Sequence, residues 1–365
     1  MSDAPQTSEK KTPKARAGSG GSARSARSAG STASAKKRPA AGESTKKKQT
    51  KTAGKPANKQ KKDSVERIEQ IAAGVRRRVF EHVLKHDGGY LSQALSAGEI
   101  FGALYGGAMR LAPCERPLRA GAFTGVPGST NGDYRSGDRF NGEPAPELDR
   151  FLFSPAHYAL VLYAALIEVG RLDESALDEF NVDGSTLEMI GAEHSPGVAT
   201  TTGSLAQALS QACGIALARR MRDEPGRTWV FMSDGEFQEG QTWEALAFAS
   251  FHGLSRLRAV VDANGQQCDG AMSSVGNIEP VVERIRSFGC DAVEVDGHDA
   301  AALEAAMSEE VDKPYVIVAR TDPARGLEVM ARRAPLLHYV RFTSADERTD
   351  FDAAFRRMLK EAPQA

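Results

Sequence analysis

The chain has 365 residues, a length that is enough for one large domain or two small ones. Its charge is nearly balanced, with 47 Lys and Arg against 48 Asp and Glu. No run of 18 apolar residues is present, so the sequence predicts no membrane-spanning helix. The cysteines form no close pair, which argues against a zinc site or a disulfide framework and favours a reducing, cytoplasmic location. They are Cys114, Cys213, Cys268 and Cys290.

The balanced total hides a strong asymmetry at the start of the chain. Residues 1–62 hold 17 Lys and Arg against 3 Asp and Glu, and they contain no Leu, Ile, Val, Phe, Tyr or Trp. Such a segment cannot bury enough apolar surface to offset its ordering entropy, so we expect a disordered basic tail. Our preferred interpretation is a solvated tail. An arm that binds nucleic acid is the alternative, although no aromatic residue is present for base stacking.

Two helices are predicted at the start of the folded sequence. The first begins near Asp63, whose spacing from Glu66 matches a capping box, and it ends at the HDGG sequence of residues 86–89. A second capping box, formed by Ser96 and Glu99, predicts that the next helix begins there.

Strands and helices alternate through the rest of the chain. Residues 112–150 show no periodicity, and a loop of this length is often functional. The alternation after it favours an α/β fold in which helices cover both faces of a parallel sheet. The predicted strands are 151–153, 229–232, 259–261, 292–295 and 315–319. The predicted helices after the loop include 154–169, 205–221, 281–288, 300–311 and 345–360.

The central strand–helix–strand unit carries the strongest functional signal. Asp234 and Gly235 follow one apolar run, and Asn264 follows the next, 30 residues later. Ligands of open parallel sheets bind at the carboxyl ends of the strands. Asp and Asn oxygens there would hold Mg²⁺ together with a phosphorylated molecule, and Gly235 would let the backbone approach a phosphate. Both pairs are also ordinary turn formers, and the chain has no GxxxxGK[ST] or GxGxxG nucleotide motif in the right context.

The stretch SDGEFQEG…DANGQQ closely resembles the thiamine-diphosphate motif of transketolases, usually written GDG…N, with Ser233 where the first glycine is common. The stretches DRFLFSPAHYAL and GVATTTGSLAQALSQ favour the transketolase branch. The resemblance covers roughly residues 65–325 and is similar to the N-terminal subunit of a split transketolase. It implies a thiamine-diphosphate-binding domain at 63–344, which follows the basic tail at 1–62. Apolar residues on one face predict a C-terminal helix within residues 345–365.

The resemblance also implies roles for individual residues. The ligands of magnesium would be Asp234, the side chain of Asn264 and the backbone carbonyl of Gln266. Residues that would contact or line the cofactor are His157, Gly203, Ser204, Leu205, Gly235, Glu236, Asn264 and Glu244. Glu239 and Glu244 match carboxylates at the family's subunit interface. Histidines that would exchange protons with substrate hydroxyls or stabilise developing charge are His86, His157 and His194.

Several positions fit the family pattern less well. His298 lies in a sequence that is also typical of a turn, and the context of His338 does not match that of a late family histidine. Ala206, Ala208 and Ala324 replace glycines that are common in the family. We therefore expect an unusual substrate pocket.

A resemblance to transketolases implies the transfer of a two-carbon ketol unit from a ketose-type donor, such as a sugar phosphate, to an aldehyde. Thiamine diphosphate and Mg²⁺ would be the cofactors. In this family a glutamate on a pyrimidine-binding domain activates the cofactor, and the sequence after residue 325 is too short for that domain. We therefore expect a partner subunit that carries the pyrimidine-binding and C-terminal transketolase domains, in a heterotetramer.

Two other functions remain open from the sequence. One is the alpha subunit of a 2-oxo acid dehydrogenase, although the SPAH and TTGSL stretches favour the transketolase branch. The other is a noncatalytic domain that its basic tail tethers to a polyanion. The joint presence of Asp234, Gly235 and Asn264 argues against a noncatalytic domain.

Overall fold

The structure, a computed structural model, describes residues 56–361, with side chains from residue 61 onward. Its helices are α1 (Pro56–Lys85), α2 (Leu91–Ala103), α3 (Ala159–Glu168), α4 (Gln207–Met221), α5 (Gly240–Phe251), α6 (Met272–Val275), α7 (Val281–Ser287), α8 (Ala300–Ser308), α9 (Glu328–Ala331) and α10 (Ala345–Glu361). Its strands are β1 (Gly88–Gly89), β2 (Arg150–Phe153), β3 (Thr228–Ser233), β4 (Leu257–Ala263), β5 (Gln266–Gln267), β6 (Gly270–Ala271), β7 (Asp291–Asp296), β8 (Tyr315–Arg320) and β9 (Val340–Arg341).

The central sheet has five strands in the order β2-β3-β4-β8-β7, and every pairing in it is parallel. Ser233 at the end of β3 lies opposite Asp262 of β4, and Asp262 lies opposite Ala319 of β8. The carboxyl ends of these strands therefore share one edge of the sheet. The predicted parallel sheet is confirmed, and each predicted strand lies within an observed one.

Side chains of the central strands alternate between two hydrophobic cores. Trp229 and Phe231 of β3 pack into the core that includes α1, α2 and α3. Val230 and Met232 of the same strand pack into the core that includes α4, α5 and α7. Because successive side chains of a strand point to opposite faces, the sheet is covered by helices on both sides, as the sequence predicts.

Phe231 is a core residue whose truncation should strongly lower the free energy of unfolding. Its ring is fully buried and lies 4.6 Å from that of Phe101 and 5.3 Å from that of Tyr158, measured between ring centroids. Phe231→Ala should lower the free energy of unfolding by about 3–5 kcal/mol, because it leaves a cavity between α2 and the sheet. Denaturant unfolding measures this, with Phe251→Ala as the control because Phe251 is 85% exposed. Equal losses for the two variants would contradict the packing described.

The starts of the first two helices differ from the prediction. Helix α1 begins at Pro56 rather than near Asp63, so residues 56–62 are helical. Proline fits the first turn of a helix, and the Lys and Gln residues that follow are good helix formers. The rest of the predicted tail lies outside the described residues.

Helix α2 begins at Leu91, and the predicted start at Ser96 is wrong. Ser96 is fully buried in the middle of the helix, where its hydroxyl donates a hydrogen bond to Asp262 at 2.6 Å. A long-range hydrogen bond in the core therefore takes the place of the local cap that the spacing to Glu99 suggested. Tertiary context has overridden the local sequence signal.

The first and last segments of the described chain pack against each other. Strand β1 pairs antiparallel with β9, so that Gly88 lies opposite Arg341. Helix α10 joins the core of α1, with the rings of Phe351 and Phe80 6.1 Å apart. The predicted C-terminal helix is thus confirmed and belongs to the same packed core.

The long segment between α2 and β2 is largely irregular, as expected. A 3₁₀ helix at Gly137–Asn141 interrupts it, and an isolated bridge from Ala122 to Ser185 ties it to the region before α4. No helix between residues 56 and 361 is long and apolar enough to cross a membrane.

Candidate cofactor site

Asp234 and Asn264 lie just after the ends of two neighbouring strands, and a hydrogen bond connects the two turns that carry them. Asp234 follows β3, is 3% exposed, and its Oδ2 accepts a hydrogen bond from the backbone N–H of Gly265 at 2.7 Å. The Oδ1 of Asn264 accepts one from the backbone N–H of Gln266 at 2.9 Å. The structure therefore brings together the three residues that the sequence assigned to a metal ion.

The electrostatics of this turn fit a divalent cation. Burial raises the pKa of Asp234 to about 7, and the nearby Asp262 carboxylate acts in the same direction. A bound cation would oppose both effects. The available ligands are a carboxylate, a carboxamide oxygen and a backbone carbonyl, which is a hard-oxygen set that suits Mg²⁺. In addition, the side-chain Oε1 of Gln266 is buried and has no hydrogen-bond partner among residues 61–361.

The backbone beside these ligands is open at Gly235. A Cβ added there would meet no atom of residues 61–361 within 4 Å, so a ligand can approach the backbone. Asp234 to Gln238 form a 3₁₀ turn at the end of β3, directly before α5. The residues present thus fit thiamine diphosphate with Mg²⁺. Within residues 61–361, no cluster of three or more His, Cys, Asp or Glu side chains forms a separate metal site.

Glu236 is buried beneath this site and supports it, and its side chain does not point into the site. Its fully buried carboxylate accepts hydrogen bonds from the hydroxyl of Ser154, from the backbone N–H of Ala206 at 2.8 Å, and from the backbone N–H of Ser233 at 2.7 Å. The Ser233 hydroxyl donates a fourth, at 3.2 Å. One side chain therefore holds together the turns after β2, before α4 and after β3.

The loop before α4 carries the remaining predicted cofactor contacts. Gly203 has a φ of +84°, which favours glycine, Ser204 is exposed, and the backbone carbonyl of Leu205 accepts a hydrogen bond from Gln241 at 3.5 Å. Glu244 is exposed on α5, as is Glu239 just before that helix.

Ala206, which replaces a glycine that is common in the family, has a strained backbone conformation. Its φ is +68°, in the left-handed region where a Cβ is unfavourable, and its N–H is held by Glu236. Ala206→Gly should therefore raise the free energy of unfolding by up to about 1 kcal/mol, since relief of strain outweighs the added freedom of the unfolded chain. Thermal or denaturant unfolding tests this; a loss of stability would show that the alanine is not strained.

Two imidazoles and a phenol meet beside the cofactor site. The ring of His157 lies 5.0 Å from that of His338 and 5.7 Å from that of Tyr90, measured between centroids. Burial lowers the pKa of His157 to about 3, with His338 adding to the effect, and burial also lowers the pKa of His338. Both imidazoles are therefore neutral near pH 7 and suited to hydrogen bonds with uncharged hydroxyl groups.

The lowered pKa of His157 predicts a pH dependence of stability. The unfolded imidazole takes up a proton below about pH 6.5, whereas the folded one does so only near pH 3. Acidification through this window therefore favours the unfolded state, by up to about 1.4 kcal/mol per pH unit. We expect His157→Gln to lose stability less steeply than wild type between pH 6.5 and 4. Parallel curves of unfolding free energy against pH would contradict the buried, neutral state.

His86 and His194 lie apart from this cluster. His86 is exposed and stacks on His82, with ring centroids 4.2 Å apart. The Nε2 of His194 lies 3.2 Å from Glu188, and its ring lies 4.5 Å from that of Phe123. Within residues 61–361, neither ring makes a hydrogen bond or ring contact with His157.

His298 has a structural connection that its turn-like sequence did not reveal. Its Nε2 accepts a hydrogen bond from the backbone N–H of Asp322 at 2.8 Å, so its Nδ1 donates to Glu99 at 3.1 Å. Glu99 is buried and also pairs with Arg76. His298 therefore joins the turn after β8 to helix α2.

Three residues near the site were missed by the sequence reasoning. Tyr90 and Tyr158 carry no motif signal, because aromatic residues in apolar surroundings usually belong to a core. Asp262 did have a signal, as an acidic residue inside the apolar run of β4. It is fully buried and close to both Asp234 and Asn264.

Comparison with known proteins agrees with this geometry. The family described as "Transketolase, thiamine diphosphate binding domain" matches residues 141–327. An uncharacterized transketolase family protein of Sinorhizobium fredii, y4mO, is 37% identical over 190 residues, which are 51% of this chain and 68% of that protein. The chain belongs to the transketolase family.

Two further relatives differ in how much of their length is matched. The 6-deoxy-6-sulfo-D-fructose transketolase subunit SqwG of a Clostridium species is 31% identical over 256 residues, which are 69% of this chain and 83% of that protein. Human transketolase-like protein 2 is 39% identical over 186 residues, which are 50% of this chain but 30% of that protein. The chain thus spans most of the first relative and under a third of the second.

Solved structures support the fold. Transketolase from Campylobacter jejuni superposes with a TM-score of 0.61 at 19% identity, covering 80% of this chain and 48% of that one. Transketolase from Pichia stipitis, solved as a complex with sedoheptulose-7-phosphate, superposes with a TM-score of 0.58 at 22% identity, covering 81% and 45%. The chain therefore has the fold of one part of these larger proteins.

Proposed function

We propose that this chain is the thiamine-diphosphate-binding subunit of a split, transketolase-like enzyme. The observation that carries the proposal is the position of Asp234 and Asn264 at the ends of neighbouring strands, where the backbone N–H of Gly265 donates a hydrogen bond to Asp234 and the backbone of Gly235 is open. Magnesium would be held by Asp234, Asn264 and the carbonyl of Gln266. When bound, thiamine diphosphate supplies the chemistry that breaks and forms the carbon–carbon bond of a ketol transfer.

The protein's own residues would bind and orient the substrate. Neutral His157, with His338 beside it, would exchange hydrogen bonds with the hydroxyl groups of a ketose-type donor, and Tyr90 would limit the space around them. We infer no contact of His86 or His194 with this cluster from the geometry, so their proposed roles depend on the family resemblance alone. Ser204, Leu205 and Glu244 remain proposed cofactor contacts on the same basis.

A partner subunit is part of the proposal. SqwG is described as a subunit, and this chain matches 83% of it, which supports a divided enzyme. The partner would carry the pyrimidine-binding and C-terminal transketolase domains, and the exposed Glu239 and Glu244 would lie at the interface. We propose a heterotetramer in the cytoplasm as the working assembly, with a sugar phosphate or related ketose as the donor.

Activity of the isolated chain and of the reconstituted pair tests this proposal. Each is supplied with thiamine diphosphate, Mg²⁺ and a panel of ketoses that includes sugar phosphates and 6-deoxy-6-sulfo-D-fructose, with an aldehyde acceptor. We expect two-carbon transfer by the pair and none by the chain alone. Full activity of the chain alone would overturn the divided enzyme.

A second measurement addresses the noncatalytic alternative. The pair should gain thermal stability from thiamine diphosphate plus Mg²⁺, because a ligand that binds the folded state stabilises it. Absence of any gain would favour a noncatalytic domain. Binding of DNA that is lost on deleting residues 1–62 would then support a tethering role for the basic tail.

A further inference from the structure

Asp262 is a buried carboxylate for which the proposed reaction has no use. It is the last residue but one of β4, is fully buried, and lies in register with Ser233 on one side and Ala319 on the other. A charged group in this position is costly unless hydrogen bonds compensate for its lost hydration. Its partners therefore indicate what the residue does.

Four side chains donate hydrogen bonds to Asp262. Its Oδ2 accepts from the Ser96 hydroxyl at 2.6 Å, the Tyr158 hydroxyl at 2.8 Å and the Nδ2 of Asn264 at 3.2 Å. Its Oδ1 accepts from the hydroxyl of Thr321. These four hydrogen bonds compensate for the lost hydration of the carboxyl group, and through them Asp262 brings together α2, the turn after β2, the turn after β4 and the turn after β8.

Tyr158 completes the arrangement around Asn264. Its hydroxyl gives its single proton to Asp262, so its oxygen accepts the other N–H of Asn264 Nδ2, at 3.0 Å. The Nδ2 of Asn264 thus donates to two acceptors, the Tyr158 oxygen and the Oδ2 of Asp262.

The opposite orientation of the Asn264 amide is unfavourable. A half-turn about its last side-chain bond would place Oδ1 against the Asp262 carboxylate, with two acceptors facing each other, and would point Nδ2 at the backbone N–H of Gln266. Only an oxygen can ligate a metal ion, because an amide N–H₂ has no available lone pair. The orientation of this amide therefore decides whether Asn264 is a ligand.

We propose that Asp262 and Tyr158 are positioning residues that fix the amide of Asn264, so that its Oδ1 is presented to the divalent cation. This inference rests on the proposed cofactor site, because the cation is the one that would accompany thiamine diphosphate. Removal of a residue that hydrogen-bonds to a metal ligand commonly lowers metal affinity by about 10- to 100-fold.

Binding of Mn²⁺ to the full-length chain with thiamine diphosphate and the partner subunit, followed by electron paramagnetic resonance, provides the test. Tyr158→Phe and Asp262→Asn should each raise the Kd for Mn²⁺ by about 10- to 100-fold. Tyr163→Phe is the matched control, since Tyr163 is equally buried and its hydroxyl donates to the backbone carbonyl of Glu188 at 3.0 Å. It should leave the Kd for Mn²⁺ unchanged.

A double substitution separates positioning from general destabilisation. In an Asn264→Ala background there is no amide to orient, so adding Tyr158→Phe should change the Kd by less than about twofold. Equal losses for Tyr158→Phe and Tyr163→Phe, or an undiminished loss in the Asn264→Ala background, would overturn the positioning role. A wild-type pair that binds neither Mn²⁺ nor thiamine diphosphate would overturn the proposed function as well.

Discussion

Replacing Asp234 with Ala is expected to weaken the binding of thiamine diphosphate and Mg²⁺ by more than about 100-fold, because loss of a direct ligand should exceed the 10- to 100-fold effect of losing a ligand's partner. The variant removes the one carboxylate among the three proposed ligands. It also leaves the backbone N–H of Gly265 without its acceptor, so the turn that carries Asn264 loosens. Calorimetric titration of the reconstituted pair measures the loss, and ketol transfer should disappear with it.

Two comparisons sharpen this result. Asp234→Asn keeps an oxygen ligand but removes the charge, so its affinity should lie between those of Asp234→Ala and wild type. Asp312→Ala, which removes an exposed aspartate, should bind as wild type does. Unchanged binding by Asp234→Ala would show that the cofactor lies elsewhere.

Replacing Glu236 with Ala is expected to lower the free energy of unfolding by about 3 kcal/mol or more. The reason is that the buried backbone N–H groups of Ser233 and Ala206 would lose their acceptor, and each unsatisfied buried donor costs about 1–3 kcal/mol. The turns that Glu236 connects would also separate, so cofactor affinity should fall together with stability. Denaturant unfolding of the isolated chain, followed by titration of the pair, measures both effects.

Glu236→Gln and Glu239→Ala are the matched comparisons. A glutamine retains one oxygen acceptor, so Glu236→Gln should lose less stability than Glu236→Ala. Glu239 is exposed three residues later, and its removal should change the stability of the isolated chain by no more than about 0.5 kcal/mol. Equal, small effects at both positions would show that Glu236 does not hold the three turns together.

The sheet and the turns of the proposed metal site were predictable from the sequence because their signals are local. Short apolar runs mark β3 and β4, and each is followed at once by the residue that matters, Asp234 or Asn264. Glu236 lies in the same motif, but its role was not readable. Its partners Ser154 and Ala206 are far away in the chain, and only the folded structure shows that one carboxylate oxygen accepts hydrogen bonds from both.

The proposed substrate-binding cluster of His157, His338 and Tyr90 depends on contacts between distant segments of the chain. His338 follows no strand signal, and it meets Tyr90 and His157 only because β9 pairs with β1. Ser96 likewise suggested a helix start because its partner, Asp262, is 166 residues away. Local patterns cannot report such pairings, which explains why the helix start was wrong and the position of His338 was not predicted.

The β1–β9 pairing also limits how far the chain can be shortened. The region that matches the transketolase family, residues 141–327, contains Asp234, Asn264 and Asp262 but neither Tyr90 nor His338. A protein trimmed to that region would lose the Ser96 hydroxyl that donates a hydrogen bond to Asp262, and it would expose the face of β3 that Phe101 covers. Recombinant trimming or domain exchange should therefore retain the segments on both sides of the matched region, since they supply these contacts.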